Sequence, residues 1–87
     1  MADTIDIPQI NLGNTASANQ FVTINYKLYT ATSWTLWNNN VQIDPNGFPV
    51  APNPISIGPL PPGTYNVQAI KNCGSPASMW TTTVTLS

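Results

Sequence analysis

Apolar and polar residues alternate along several short segments of this chain, and no segment has the spacing of an amphipathic helix. The clearest alternation is in residues 21–30, FVTINYKLYT, where every second residue from Val22 to Leu28 is apolar. A two-residue period is typical of a β-strand with one buried face. We therefore predict a strand here whose apolar side packs against a second sheet.

The segment after this strand predicts a hairpin partner and then turns. WTLW, residues 34–37, is the expected partner, in which Trp34 and Leu36 share one face and Trp37 lies on the other. The run NNN should then form a loose, irregular segment before a short strand VQI. DPNG, residues 44–47, suits a tight turn. Proline is frequent in residues 48–63, so only ISI, residues 55–57, is expected to pair there.

Alternation returns in residues 65–70 and 80–86, which predict two more strands separated by a turn at NCGSP. Together with the N-terminal TIDIPQINL, the chain has six or seven short strands, and we predict an all-β fold, a single antiparallel β-sandwich domain over residues 1–87. The predicted core consists of Val22, Ile24, Tyr26, Leu28, Tyr65, Val67, Ala69, Val84 and Leu86.

The stretch LPPGTYNVQA, residues 60–69, resembles the corner between strands E and F of fibronectin type III domains. The resemblance implies an immunoglobulin-like sandwich in which Leu60 and Gly63 form the corner and the Tyr65 hydroxyl bonds back to the backbone. It extends over residues 21–86. The chain departs from the family before residue 21, where it has one strand-like segment instead of two and lacks the family's usual strand B tryptophan.

Ionisable groups are scarce: the chain has two lysines, three aspartates and no histidine, arginine or glutamate. General acid–base catalysis needs a titratable group and a second group that orients it, so we expect no enzyme. Binding to nucleic acid depends on clustered cations, which two lysines do not supply. We also expect no membrane-spanning segment and no secretory leader, so that the protein stays where it is made.

No metal or other cofactor is expected. Asp3 and Asp6 lie near the terminus and Asp44 belongs to a turn, whereas a calcium ion requires several converging oxygen atoms. Cys73 has no partner in the chain and is interpreted as a small half-buried thiol.

Four large side chains are out of phase with the predicted core and should point outward: Phe21, Tyr29, Trp37 and Ile70. Exposed apolar groups of this kind usually mark a binding partner, so they form the hypothetical partner-binding surface. In the alternative, Tyr29 and Trp37 only cover an edge of the sandwich. The three tryptophans with neighbouring amides also suit a sugar platform, although core packing should take one or two of them.

Three functions remain open. The chain looks like the small fibronectin- or immunoglobulin-like auxiliary proteins that decorate the heads of tailed bacteriophages, which implies a structural virion protein made in the bacterial cytoplasm and bound to the major capsid protein or another virion protein. It also suits an extracellular spacer or adhesive domain of a larger secreted bacterial protein. The third possibility is a carbohydrate-binding module that recognises a surface glycan.

Overall fold

The computed structural model describes residues 3–73 and 78–87, and every regular element in them is a β-strand. The strands are β1 (Asp3–Ile7), β2 (Gln20–Leu28), β3 (Thr35–Ile43), β4 (Pro49–Ala51), β5 (Ile55–Leu60), β6 (Gly63–Lys71) and β7 (Met79–Leu86). The predicted turn at NCGSP falls largely outside the described residues. Within the described ranges, no helix is long and apolar enough to cross a membrane.

The seven strands form two antiparallel sheets. The smaller sheet pairs β1 with β5, and the larger has the order β4-β3-β2-β6-β7. The chain leaves the larger sheet between β4 and β5 and returns to it between β5 and β6. These sheets confirm the predicted all-β sandwich of six or seven antiparallel strands.

The core lies between the two sheets and is built mainly from β-branched side chains. Its fourteen buried residues are Ile5, Ile7, Ile10, Leu12, Val22, Ile24, Val41, Ile43, Ile55, Ile57, Tyr65, Val67, Ala69 and Leu86. Each fully buried Ile or Val contributes on the order of 1.5–3 kcal/mol. Ile10 and Leu12 come from the connection between β1 and β2, so this segment completes the core beside the narrow two-stranded sheet.

Six of the nine predicted core residues are buried, and Tyr26 and Val84 are partly buried against the core. The prediction for Leu28 was wrong, because 46% of this residue is exposed. Leu28 has the inward phase and lies opposite Tyr65, but it is the last residue of β2. There it lines an open cavity with Leu60 and Pro61, which cover only part of its side chain.

The corner between β5 and β6 carries the chain from one sheet to the other. Leu60 ends β5 and Gly63 begins β6, with two prolines between them. The buried Tyr65 ring turns back toward this corner, and its hydroxyl donates a hydrogen bond of 2.8 Å to the carbonyl oxygen of Pro61. The bond expected from the sequence is therefore present. A side chain on Gly63 would press on Leu28 and Tyr65, since an added Cβ would lie 3.3 Å from the Leu28 Cδ2 atom.

Replacing Tyr65 with Phe should lower the free energy of unfolding by about 1–2 kcal/mol, because the part-buried Pro61 carbonyl loses its donor. Urea unfolding of the wild type and the variant measures this difference. Tyr29→Phe is the matched control, since it removes a hydroxyl from an exposed ring. Equal midpoints for Tyr65→Phe and Tyr29→Phe would contradict a stabilising role for the bond.

Two predictions for the middle of the chain were wrong. The asparagines 38–40 do not form a loose segment but belong to the continuous strand β3. The register of its pairing with β2 shifts on either side of Asn38. Pairing is also not limited to residues 55–57, because β5 extends to Leu60 and Pro49–Ala51 form the short strand β4. Proline is tolerated at β4 because this strand is an edge of the sheet, where a missing donor faces solvent.

Candidate interaction surface

The larger sheet has an outer face, turned away from the smaller sheet. We define it as every second residue from 21 to 29 along and just past β2, from 64 to 70 in β6 and from 79 to 85 in β7, together with Leu36 of β3 and Trp34, which precedes β3. The pairing of β2, β6 and β7 is unbroken, so these side chains lie in straight rows across the sheet. Leu36 joins the face because it lies directly opposite Asn25.

The centre of the outer face is polar and nearly uncharged. The Asn25 amide donates a hydrogen bond of 3.3 Å to the Gln68 side-chain oxygen, and the Thr83 hydroxyl donates one of 3.1 Å to the Asn66 side-chain oxygen. These bonds link neighbouring strands and restrict the orientation of the amides. The centre therefore presents fixed neutral donors and acceptors.

Lys27 organises the loop at one end of the outer face. Its ammonium group donates to the carbonyl oxygens of Leu28 and Tyr29, both at 3.4 Å, and of Ala31 at 3.1 Å. The same nitrogen lies 5.3 Å from the centroid of the Trp34 ring, within the range of a cation–π interaction. One lysine thus holds the loop between β2 and β3 and orients its tryptophan.

The ring of Trp34 and that of Tyr29 form the aromatic end of the outer face. Both side chains are exposed, and they line a cavity of about 490 Å³ together with Asn66, Thr81 and Thr83. The cavity therefore combines two aromatic rings with amide and hydroxyl groups. Such a site can bind an apolar side chain or a polar ring that carries hydroxyls.

The apolar end of the outer face consists of Phe21, Ile70 and Met79, all of them exposed. Ile70 lies directly opposite Met79, and Phe21 is in the adjoining row, where its carbonyl oxygen accepts a hydrogen bond from the N–H of Asn72. Side chains this close on one sheet face present a joined apolar area to solvent.

The structure places three of the four predicted partner-binding residues on the surface. Phe21 is 42%, Tyr29 62% and Ile70 37% exposed. They do not form a single patch, because Phe21 and Ile70 are at the apolar end and Tyr29 is at the aromatic end. Eight residues of extended chain separate Phe21 from Tyr29, a span of roughly 26 Å.

The prediction that Trp37 points outward was wrong, because this side chain is partly buried and packs against the core. Asn38 of β3 pairs with Ile24 of β2, and Leu36 pairs with Asn25. Between these two pairs β3 advances by two residues and β2 by only one, so β3 has one extra residue there. Such a bulge changes the phase of alternation. It brings Trp37 inward and leaves Leu36 outside.

Sequence reasoning missed Trp34, Leu36 and Met79 as exposed parts of this surface. The available signal was the run of asparagines, since residues of low strand propensity favour a bulge that reverses the faces of WTLW. The core takes two tryptophans, Trp37 and Trp80, in agreement with the expectation of one or two.

The remaining polar candidates have local structural roles. The Asp44 carboxylate accepts hydrogen bonds of 2.9 Å from the N–H groups of Asn46 and Phe48, as its predicted role in a turn requires. Among residues 3–73 and 78–87, no three His, Cys, Asp or Glu side chains come together where they could hold a metal ion. Cys73 is exposed, not half-buried as predicted, because it lies beyond the last residue of β6.

No protein-family model, no curated protein and no solved structure matches this chain. What the outer face can do therefore follows from its own chemistry. When a partner covers the two ends, their apolar surface is removed from water, which favours binding. The centre offers fixed hydrogen-bonding groups to the partner. Charge contributes little, because Lys27 is the only charged side chain among the residues that define this face.

Proposed function

We propose that this chain is a non-enzymatic structural protein of a virion, which binds the particle surface in many copies through its outer face. The observation that carries the proposal is the composition of that face, which exposes aromatic and other apolar side chains around neutral amides and hydroxyls. Depletion of charge together with exposed aromatic and Met side chains distinguishes the composition of protein–protein interfaces. The partner is the major capsid protein or another virion protein, and assembly takes place in the cytoplasm of a bacterial host.

The charge of the chain supports binding in many copies. With five charged side chains and a formal net charge of −1, neighbouring copies repel one another only weakly. A dense layer on a particle therefore has little electrostatic cost. The same scarcity of charge means that attachment depends on apolar contact and hydrogen bonds.

We further propose that the sandwich is of the fibronectin type III kind. The Tyr65 bond to Pro61 at the crossing between the sheets supports this assignment, as does the position of β2 between β3 and β6. One strand, β1, precedes β2 in the described residues, so the smaller sheet is abbreviated relative to that family.

Carbohydrate binding is the second candidate, favoured by the cavity at the aromatic end. Tyr29 and Trp34 offer ring faces for stacking, and Asn66 and Thr83 offer groups for sugar hydroxyls. Competition separates the two candidates: free oligosaccharide should displace the protein from a glycan but leave its attachment to a protein shell intact.

Trp34→Ala should reduce attachment to the particle by roughly thirtyfold, the loss typical of an aromatic anchor at an interface. The domain should stay folded, because this ring lies outside the core cluster. The measurement is to add purified protein to particles that lack it and to count the bound copies. Phe48→Ala is the matched control, since it truncates another exposed aromatic ring, located before β4 and outside the outer face.

The same assay at low and high salt tests the nature of the contact. Wild-type attachment should change little, since apolar contacts are not screened as ion pairs are. Full occupancy by Trp34→Ala would exclude the aromatic end as the anchor. Loss of wild-type binding at high salt would show that the few charges dominate attachment.

A further inference from the structure

The free edges of the two sheets are protected very differently. β4 has three residues and begins with Pro49, and β5 contains Pro59. β1 carries Asp3 and Asp6 and has an irregularity in its pairing. Short length, proline, charge and bulges are the usual features that prevent an edge strand from pairing with another chain.

The edge formed by β7 has none of these features. Its eight residues, MWTTTVTL, contain no charge and no proline, and they pair with β6 without a shift from Met79 to Leu86. In the described part of the chain β7 has β6 as its only hydrogen-bonded neighbour, and β1, the nearest strand of the smaller sheet, does not join its ladder. β7 is therefore a long, regular and open edge.

The direction of each backbone group in β7 follows from the ladder. The N–H of Lys71 donates a hydrogen bond of 2.9 Å to the carbonyl oxygen of Ser78. Residues 71 and 78 are therefore a hydrogen-bonded pair, in which the N–H and C=O groups of each residue point to the other strand. These groups alternate in direction along an antiparallel strand. Trp80, Thr82 and Val84 thus bond to β6, whereas residues 81, 83 and 85 direct their N–H and C=O groups to the free edge.

We propose that β7 pairs antiparallel with β7 of a second copy of this chain, with Thr83 on the twofold axis. Thr83 then lies opposite Thr83 of the second copy, and Thr81 lies opposite Thr85. The two five-stranded sheets become one sheet of ten strands. This inference goes beyond the proposed attachment to a particle and does not depend on it.

The register satisfies two separate requirements at once. The residues placed opposite each other, 81, 83 and 85, are those with unused hydrogen-bonding groups at the edge. Their side chains also lie on the outer face in both copies, so the pleat continues across the axis. A shift of one residue would break both conditions, because it would place outward groups opposite inward ones.

The side chains of β7 favour a second copy of this chain as the partner of its free edge. On the outer face only threonines meet, and threonine pairs are favourable across strands. On the inner face, Trp80 lies opposite Leu86 of the second copy, and Thr82 lies opposite Val84. Trp80 and Val84 are only partly buried in one copy, and the pairing gives them apolar neighbours beyond the edge. No like charges meet, because β7 has none.

Sedimentation of the full chain across a concentration series, with a reductant to exclude disulfides through Cys73, tests the pairing. The wild type should form a dimer. Thr83→Pro removes one N–H that points to the free edge and none that bonds to β6. Because symmetry counts this loss twice, the dimer dissociation constant should rise by at least about tenfold. Thr83→Lys places two ammonium groups opposite each other and should also weaken the dimer.

Two controls isolate the edge. Thr83→Ala removes the side chain but keeps the N–H, and it should remain dimeric. Gln68→Lys adds the same charge to the same face one strand away from the edge, and it should dimerise as the wild type does. Circular dichroism establishes that each variant is folded; if Thr83→Pro does not fold, Thr83→Lys decides.

Amide hydrogen exchange gives a residue-level readout. In the dimer the N–H groups of residues 81, 83 and 85 should become protected, and dilution to monomer should remove this protection. The proposal would be overturned if the wild type stayed monomeric up to a protein concentration of about 1 mM, because a dimer with a larger dissociation constant would be negligible. It would also be overturned by a dimer that Thr83→Pro and Thr83→Lys leave unchanged, or by a β7 edge that pairs only with a strand of another protein.

Discussion

Gly47→Ala is expected to lower the free energy of unfolding by at least about 2 kcal/mol, from backbone strain and overpacking together. Gly47 has a φ of 91°, a region that residues with a Cβ rarely adopt. An added Cβ would lie 2.1 Å from the carbonyl oxygen of Ile10, far inside contact distance. Moving the two segments apart to relieve this contact would break the 2.9 Å hydrogen bond that the Ile10 N–H donates to the Gly47 carbonyl oxygen.

This contact matters because it attaches the turn after β3 to the connection that buries Ile10 in the core. Gly13→Ala is the matched control, with a φ of 70° and no heavy atom within 4 Å of the added Cβ. Chemical unfolding of both variants separates backbone strain, which they share, from the clash, which only Gly47→Ala has. Equal losses of stability would contradict the close approach of these two segments.

Trp37→Ala should lower the free energy of unfolding by about 2–3 kcal/mol, somewhat less than truncation of a fully buried aromatic ring. Its ring packs against the core from β3, so its removal leaves a cavity. Trp34→Ala, which truncates an exposed ring only three residues earlier, should cost less than about 1 kcal/mol. The pair is compared by urea unfolding under identical conditions.

The comparison tests the reversed faces of WTLW directly. A bulge-free β3 would place Trp37 outside, and Trp37→Ala would then be nearly neutral. A larger loss for Trp34→Ala than for Trp37→Ala would contradict the observed phase of the strand. The result also bears on function, because only an exposed tryptophan can be removed to test attachment without damaging the fold.

The sequence predicted β2, β6 and β7 well, and the reason is the regularity of their pairing. These strands pair without a shift, so the alternation of residues such as Val22 and Val67 reports directly which side is buried. The corner was predictable for a different reason. Tyr65 forms its hydrogen bond with Pro61, four residues away, so the contact is local in sequence.

β3 was not predictable from alternation alone. Its bulges arise where it pairs with residues of β2 that are more than ten positions away in sequence, and large side chains at Trp34 and Trp37 fit either face of the strand. Leu28 failed for a related reason. Its phase is inward, but its burial depends on how far the smaller sheet and its corner extend over the end of β2.

Three of the four residues predicted for the candidate surface are exposed, but neither its remaining residues nor its shape was predicted. Phe21, Tyr29 and Ile70 are exposed as their phase indicated, since each is out of step with the core. Their division into an apolar and an aromatic end depends on strand register, which alternation does not specify. The role of Lys27 was also hidden, because its carbonyl partners are assembled only when the loop after β2 folds back.

If the proposal holds, a virus encodes this chain, and the most direct test is quantitative mass spectrometry of highly purified particles of that virus. The measured quantity is the ratio of this chain to the major capsid protein. A structural role in many copies predicts a high ratio that is constant between preparations and unchanged by a high-salt wash. Absence of the chain from the particles, or its recovery only within a larger secreted polypeptide, would contradict the proposal.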